Sequence, residues 1–441
     1  MRTTDKDVIG QWLVEQLGKV CAISTSEIAW DDFFSDLGLS SSEAATLAGD
    51  FERWLETELP VTLFYDCDSI RKVVEYVSTT TSGSVPRSPS PTARALPLQE
   101  PIAIVGMSCR FPGAQNLSEF WELLTSCKDA ISEVPPTRWD LDAVYDPVIG
   151  TPGKMNTRYG GFIPDIEEFD ADAFGIAPRE AERMDPQQRA MLEVAWEAFE
   201  DAGLNRDTVR GDRIGVFVGL SNQEYRDRQF SDRCSIDAYA GTGNSASITA
   251  NRISYFFDLR GPSLSIDTAC SSSLTAIHMA CQSLRSGESR ATLAGAVNLM
   301  LTPEFTIIFS QAGLLSSDGK CRTFDADANG YVRGEGAAAL VLKTYSQAQA
   351  DGDRIYGLIR GSAINQDGRT LALTTPNRAA QEAMLEAAYE AAAISPADVD
   401  YVEAHGTATP IGDVIEVAAL SAVLQQGRPA DRKCLIGSVK T

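Results

Sequence analysis

The sequence has 441 residues, of which 44% are hydrophobic and 22% are charged, proportions typical of globular domains with a large buried core. Sixty-one acidic against 38 basic side chains give a net charge of -23, which excludes nucleic acid and anionic membrane surfaces as favourable partners. The amino terminus, MRTTDKDV, lacks the apolar stretch of a signal peptide, and no run of 18 apolar residues occurs. We therefore predict a cytoplasmic protein that does not insert into a membrane.

The cysteines give no sign of a metal site. Nine are scattered along the chain without a C-x-x-C pair, and only two histidines, His278 and His405, could join them. We therefore predict no bound metal. In a reducing compartment most of these thiols should be buried as small apolar side chains, so a reactive cysteine has to be identified from its neighbours.

Residues 1–77 show apolar side chains at helical spacing and no comparable strand pattern. The apolar positions are Val8, Ile9, Trp12, Leu13 and Leu17, and then Phe51, Trp54 and Leu55. Residues 1–80 carry fifteen acidic and six basic side chains, an excess of nine negative charges. This pattern predicts a small, acidic, all-α helical bundle of three or four helices.

The segment 78–98, STTTSGSVPRSPSPTARALPL, is rich in Ser, Thr and Pro. It has almost no bulky apolar side chain with which to pack against a domain. We predict an extended linker that separates the helical bundle, 1–77, from a second domain, 99–441.

Short apolar runs alternate with amphipathic helical patterns in the second domain. The runs cover 102–107, 214–220, 293–301, 337–343 and 401–406. Buried strands that alternate with helices predict an α/β layered domain. One helix is defined at both ends, because Asp185 can cap it, Pro186 suits its first turn and Gly203 can end it.

Cys270 lies in the segment GPSLSIDTACSSSL, residues 261–274, where an apolar run ends and a helical pattern begins. At the start of a helix, free backbone N–H groups and the helix dipole favour a thiolate and so activate the sulfur as a nucleophile. The small neighbours Ala269, Ser271 and Ser272 leave room for a substrate. The alternative is a buried structural cysteine, which is the commoner role of a free Cys.

Seven segments, in order, resemble β-ketoacyl synthases, the condensing enzymes of polyketide and fatty-acid synthesis. They are EPIAIVGMSCRFPGA (100–114), DPQQR (185–189), GPSLSIDTACSSSL (261–274), CRTFDADANGYVRGEGA (321–337), GSAINQDGRT (361–370), EAHGTATPIGD (403–413) and IGSVKT (436–441). The sequences of these segments are most similar to the ketosynthase of a modular type I polyketide synthase. The resemblance implies a thiolase-like α/β layered fold and a homodimer.

The resemblance implies roles for three residues. Cys270 matches the nucleophile that accepts an acyl chain from a carrier thioester; a malonyl-type extender then loses carbon dioxide and its carbanion attacks the acyl-enzyme. His405 matches one of two histidines that donate hydrogen bonds to the enolate oxygen. Lys440 matches the lysine that orders the site. Taken alone, His405 could be a structural histidine and Lys440 a surface charge. His278 matches no catalytic position and is assigned to packing.

Two departures from the family pattern carry expectations. Ala408 stands where the family usually has glycine, and we expect its methyl group to narrow the site slightly. The sequence stops at Thr441, before the segments that bear the family's second histidine and its Gly-rich loop. We therefore expect a truncated chain whose fold is incomplete at its carboxyl end, and which is inactive in condensation by itself.

The segment DLGLSSSEAATL, residues 36–47, resembles the acyl carrier motif in which a serine at the start of an acidic helix receives phosphopantetheine. Ser41 matches that serine, although the family usually has Asp-Ser-Leu where this chain has Ser-Ser-Ser at 40–42. The alternative is an ordinary serine cap of a helix. The carrier interpretation implies covalent phosphopantetheine on Ser41 and a phosphopantetheinyl transferase as a partner. The acidity of the bundle suits basic partner surfaces.

Together these features predict a carrier domain that presents a starter acyl chain to a ketosynthase. The partners would be acyl and malonyl-type thioesters on carrier domains, and a fatty-acyl-AMP ligase is a candidate source of the starter. One alternative is a non-catalytic ketosynthase-like scaffold or docking fragment, which the missing second histidine favours. Another is a coenzyme-A thiolase, which the similarity to modular ketosynthases and the attached carrier disfavour.

Overall fold

A computed structural model describes residues 5–39, 41–60, 62–80 and 100–441. Its helices are α1 (Lys6–Val20), α2 (Ser41–Leu55), α3 (Leu63–Asp66), α4 (Ile70–Thr80), α5 (Leu117–Thr125), α6 (Leu141–Val144), α7 (Pro178–Ala181), α8 (Pro186–Asp201), α9 (Arg206–Val209), α10 (Glu224–Phe230), α11 (Ala238–Asn244), α12 (Ala246–Phe257), α13 (Ser272–Arg285), α14 (Glu304–Gln311), α15 (Tyr345–Asp351), α16 (Arg378–Ala392) and α17 (Gly412–Leu424). Its strands are β1 (Ile102–Arg110), β2 (Ser132–Glu133), β3 (Tyr159–Gly160), β4 (Ile214–Gly219), β5 (Ser263–Ile266), β6 (Ala291–Asn298), β7 (Gly336–Thr344), β8 (Gly357–Ile359), β9 (Tyr401–Glu403) and β10 (Leu435–Gly437).

The described residues form two units. The first contains 5–80 together with 365–387 and 394–439, and the second contains 100–364, 388–393 and 440–441. Residues 78–80 of the predicted linker form the last turn of α4. The rest of the predicted linker, 81–98, lies outside the described residues.

The amino-terminal part of the first unit is an all-α bundle, as predicted. Asp5 caps α1 by accepting a hydrogen bond from the backbone N–H of Asp7 at 3.0 Å. Ile9, Leu13 and Leu17 recur every four residues and are all buried, because this spacing puts them on one face of the helix. That face joins a core to which α2, α3 and α4 contribute their apolar residues.

The remaining part of the first unit holds most of α16, all of α17 and a two-stranded parallel sheet of β9 and β10. The apolar run predicted at 401–406 thus begins as a strand, β9, and continues as a loop.

The second unit is built on a six-stranded mixed sheet in the order β5-β4-β6-β7-β1-β8. Strand β4 is parallel to β5 and β6, whereas β7 is antiparallel to β6 and β1. In β4, Val216 and Val218 pack with the core that includes α8 and α12, and Phe217 packs with the core that includes α13. Since successive side chains of a strand point to opposite faces, helices cover both faces of this sheet.

The predicted elements of the second unit agree with the structure. The runs at 102–107, 214–220, 293–301 and 337–343 contribute to strands β1, β4, β6 and β7. Helix α8 is capped by Asp185, whose carboxylate accepts from the Gln187 N–H at 2.9 Å, and Pro186 is its first residue. Gly106 lets β1 approach α8, because a Cβ atom there would lie 2.4 Å from the Ala198 carbonyl oxygen.

The described part of the chain has neither a membrane-spanning helix nor a cluster of metal ligands. Within 5–39, 41–60, 62–80 and 100–441, no helix is long and apolar enough to cross a membrane. Across the same described residues, no group of three or more His, Cys, Asp or Glu side chains could hold a metal ion.

Candidate active site and carrier-attachment helix

Cys270 lies at a turn between a strand and a helix, as the sequence predicted. Strand β5 ends at Ile266, a short 3-10 helix covers Ala269–Ser271, and α13 begins at Ser272. The thiol is exposed, which distinguishes it from the buried cysteines of the same unit. The nucleophile candidate is thus accessible and adjoins the amino terminus of a long helix, where backbone N–H groups are free to favour an anion.

Side-chain hydrogen bonds hold this turn. The Asp267 carboxylate accepts from the Ala269 N–H at 2.9 Å, and the Ser272 hydroxyl accepts from the Thr268 N–H at 2.9 Å. The same hydroxyl donates to the Ala269 carbonyl at 2.7 Å. These hydrogen bonds therefore fix the backbone on both sides of Cys270.

The backbone before the thiol is strained. Ala269 has φ +53°, in the left-handed region that residues with a Cβ atom seldom adopt. Such a conformation costs on the order of 1–2 kcal/mol and persists where its surroundings enforce it. Here the hydrogen bonds of the turn enforce it, and they present the Cys270 side chain at the surface.

Gly219 sets how closely α13 approaches the sheet, and its role was not predicted from the sequence. It is the last residue of β4, and a Cβ atom there would lie 2.7 Å from the Ser272 carbonyl carbon. Only a glycine allows this approach without a shift of the backbone. The start of α13 therefore rests directly on the end of a buried strand.

Tyr331 is a second residue whose role was not predicted from the sequence, although it lies in the segment 321–337. Burial raises the pKa of its phenol to about 12; Arg333 opposes the rise and Cys270 adds to it. Arg333, whose side chain is 8% exposed, donates to the Thr306 hydroxyl at 2.7 Å. The phenol keeps its proton at neutral pH and can serve as a hydrogen-bond donor.

His405 lies in the first unit, in the loop that follows β9, and its side chain is exposed. The backbone N–H groups of His405 and Gly406 donate to the two carboxylate oxygens of Glu416, at 2.7 and 2.9 Å. Glu416 belongs to α17, so this helix fixes the loop that carries the histidine. The role of Glu416 was not predicted, because its partners are backbone groups that leave no side-chain signature in the sequence.

Ala408 affects the backbone of the His405 loop. Its side chain is fully buried and its backbone has φ +52°. A family glycine would adopt this left-handed conformation without strain, whereas alanine is strained there. The methyl group therefore affects the conformation of the loop. That it also narrows the site stays a prediction.

Lys440 and His278 both belong to the second unit. Lys440 is exposed in a turn after β10. His278 lies on α13, eight residues after Cys270, and its Nδ1 atom is 2.8 Å from the Ser362 hydroxyl. Burial lowers the pKa of this imidazole. These contacts agree with a packing role for His278. Of the proposed catalytic residues, Cys270 and Lys440 share a unit and His405 belongs to the other.

Ser41 is the first residue of α2, where the sequence predicted a helix start. The side chains at 40–42 lie outside the described part of the structure. The turn before the helix contains Gly38 at φ +80°, and nothing lies within 4 Å of where a Cβ atom would be on that glycine.

Profiles of known families match most of the chain. Residues 99–348 match the amino-terminal domain of β-ketoacyl synthases, 356–441 match the carboxyl-terminal domain, and 11–77 match the phosphopantetheine attachment site. The chain belongs to the β-ketoacyl synthase family. A carrier domain of the phosphopantetheine-binding family precedes its ketosynthase.

The similar proteins are modular polyketide synthases. A phenolphthiocerol/phthiocerol polyketide synthase of Mycobacterium tuberculosis is 47% identical over 438 residues, which is 98% of this chain and 23% of that protein. A polyketide synthase of Streptomyces halstedii is 44% identical over 92% of this chain and 7% of its own length. This ketosynthase and its carrier thus span less than a quarter of the length of these relatives.

Solved ketosynthases confirm the thiolase-like fold that the sequence predicted. The ketosynthase from module 6 of the bacillaene synthase of Bacillus subtilis is 46% identical, with a TM-score of 0.71 over 77% of this chain and 57% of that one. An oxazolomycin ketosynthase domain from Streptomyces albus is 41% identical, with a TM-score of 0.73 over 77% and 59% of the two chains.

Proposed function

We propose that the ketosynthase accepts an acyl chain on Cys270 from a carrier thioester and condenses it with a decarboxylating malonyl-type extender. The observation that carries this proposal is the position of Cys270, exposed in a strained turn at the start of α13. No other described cysteine combines exposure with the amino terminus of a helix of more than three residues.

In the loading step, the Cys270 thiolate attacks the thioester carbonyl of the incoming acyl chain. A new sulfur–carbon bond forms, the carrier's sulfur leaves as a thiolate, and that thiolate takes up a proton. Backbone N–H groups at the start of α13 can donate to the carbonyl oxygen during the attack.

In the condensation step, loss of carbon dioxide from the extender places negative charge on a thioester oxygen. We assign His405 as a donor to that oxygen, with its loop fixed by Glu416. Lys440 is assigned to ordering the same site. The carbanion then attacks the acyl group on Cys270, the new carbon–carbon bond forms, and the cysteine sulfur is released.

For the carrier we propose Ser41 as the phosphopantetheine attachment residue. The arm supplies a flexible thiol that holds the acyl chain as a thioester. We also propose a fatty-acyl-AMP ligase as a source of the starter chain. The carrier's excess of nine negative charges suits enzymes with basic surfaces.

We also propose that the ketosynthase forms a homodimer through the β5 edge of its sheet. In the described sheet, β5 is an end strand and pairs with β4 alone. Leu264 on β5 and Tyr255 on α12 are large exposed apolar residues beside this edge. An exposed strand edge with apolar neighbours is a template for pairing with another chain.

Replacing Ser41 by alanine is expected to abolish phosphopantetheinylation completely. The whole chain is incubated with coenzyme A and a promiscuous transferase, and the attached arm is counted by intact-mass spectrometry. Ser42→Ala is the matched control and should keep one arm, because Ser41, and not Ser42, matches the modified serine of the carrier family. An unmodified wild-type chain with several transferases, or an arm retained in Ser41→Ala, would contradict the assignment.

Replacing His405 by alanine is expected to slow release of carbon dioxide from a malonyl thioester by about 10²- to 10³-fold, the usual effect of removing one donor to a developing oxyanion. The rate is measured in a polyketide synthase module that contains this segment. Acylation of Cys270 should persist in the variant, since loading does not pass through an extender enolate. Equal loss of both steps would indicate that His405 supports the fold instead.

A further inference from the structure

The loop between β8 and α16 contacts the carrier domain. This loop, which we call the docking loop, covers residues 367–373, in the same unit as the carrier. We propose that the docking loop is the surface on which the ketosynthase chain holds its own carrier, through the turn 33–36 that leads to α2. The proposal rests on the carrier identity of 11–77 and is independent of acyl transfer to Cys270.

Arg369 makes the polar part of this contact. Its guanidinium lies 4.2 Å from the centroid of the Phe33 ring, forms an ion pair with Asp36, and donates to the Ser35 hydroxyl at 3.3 Å. Three neighbouring side chains of one turn thus surround a single cation. A planar guanidinium can stack on a ring and pair with a carboxylate at the same time, which a lysine ammonium does less well.

Leu371 makes the apolar part of the contact. Its side chain is only 8% exposed, and it packs with the buried core of the carrier bundle. Leu373, two residues later on the same loop, is fully exposed. The chain therefore offers one buried and one exposed leucine within a single loop, which makes a matched pair for testing.

Asp66 of the carrier is influenced by a charge that follows the docking loop in the sequence. Burial raises the pKa of Asp66 on the carrier's α3, while the Thr62 hydroxyl and Arg378 oppose the rise. Arg378 is the first residue of α16. The charge of Arg378 thus acts on the carrier from the start of the helix that follows the docking loop.

The contact between the docking loop and the carrier has a weak polar part, which suits reversible docking. The side chains of Arg369 and Asp36 are 56% and 58% exposed, so salt screens their attraction and their pairing is weak. The buried leucine supplies the apolar area, and the cation gives orientation against an acidic domain. A carrier held in this way has a defined resting position, with its attachment helix α2 following the held turn, and can still be released.

Zero-length crosslinking in the full chain tests the proposal. In Arg369→Lys, a carbodiimide should join the new amine to the Asp36 carboxylate as an amide, identified by peptide mass spectrometry. Adding Leu371→Ala should reduce this crosslink about tenfold or more, the lower end of what burial of one leucine contributes, whereas adding Leu373→Ala should leave it unchanged. Raising the salt concentration should weaken it as well.

An internal standard separates loss of docking from loss of folding. Lys72 and Asp68 lie 2.8 Å apart on the carrier and should crosslink equally in every variant. Leu371→Ala could also lower the Lys72–Asp68 crosslink, which would indicate misfolding. In that case the charge-swapped variant, Asp36→Lys with Arg369→Asp, becomes the test. Docking predicts a crosslink between these two exchanged residues, whereas misfolding predicts none. The proposal is overturned by an Asp36 crosslink that does not respond to Leu371→Ala. It is also overturned by crosslinks that join two differently labelled copies instead of one chain. None of these results depends on acyl transfer.

Discussion

Replacing Cys270 by alanine is expected to abolish acylation of the chain by a small acyl thioester. Four of the other cysteines are buried: Cys67, Cys109, Cys281 and Cys321. Burial raises the pKa of Cys67 to about 12 and that of Cys109 and of Cys281 to about 11, so these three thiols stay protonated at neutral pH. A protonated, buried thiol is a poor nucleophile.

The exposed cysteines 127 and 234 are the serious competitors. Cys127 follows the carboxyl end of α5, where the helix dipole disfavours an anion. Cys234 lies in a 3-10 helix of three residues, Arg233–Ser235, which is too short to have a comparable dipole. Of these three cysteines, only Cys270 precedes a helix of fourteen residues.

Peptide mass spectrometry after a short exposure to an acyl thioester gives the measurement. The wild-type chain should carry the acyl group on the Cys270 peptide, and Cys270→Ala should carry none above the slow background of the other exposed thiols. Cys127→Ala and Cys234→Ala are the controls and should acylate at the wild-type rate. Undiminished labelling of Cys270→Ala would remove the nucleophile assignment.

Replacing Arg138 by methionine is expected to destabilise the second unit by about 3–5 kcal/mol, the usual cost of leaving a buried charge without its partner. Arg138 and Glu335 form an ion pair at 3.1 Å with side chains 5% and 0% exposed. The Glu335 carboxylate also accepts from the N–H groups of Ile163 and Met300, at 2.7 and 2.9 Å. Glu335 immediately precedes β7, so the pair joins the start of an interior strand of the central sheet to two surrounding loops.

Urea unfolding of the wild-type and variant chains gives the change in free energy. Lys320→Met is the matched control, because Lys320 pairs with Asp129 at 2.6 Å on the surface of the same unit. Its loss should cost no more than about 1 kcal/mol. Equal effects of the two substitutions would show that the buried pair does not anchor the fold.

The turn that contains Cys270 was predictable because its signals are local. An apolar run, an acid and a group of small residues follow one another within 261–274, and each favours the element in which it is found. Helix α8 was predictable for the same reason, since its cap and its first proline are adjacent in sequence.

The supports of the site were not predictable, because they act across the fold. Gly219 matters only because α13 crosses the end of β4, and Glu416 only because α17 returns to the His405 loop. The electrostatic effect of Cys270 on the pKa of Tyr331 links two segments about sixty residues apart in the sequence. The strain at Ala408 depends on a backbone angle that a single sequence does not report.

The measurement that tests the central claim most directly follows one acyl group from the carrier to the ketosynthase. A transferase loads Ser41 with an isotopically labelled acyl-phosphopantetheine, and peptides are analysed by mass spectrometry over time. We predict that the label appears first on the Ser41 peptide and then on the Cys270 peptide, and that Cys270→Ala keeps it on the carrier. A label that remains on the carrier of the wild-type chain, or that reaches Cys127 or Cys234 as fast as Cys270, would contradict the account.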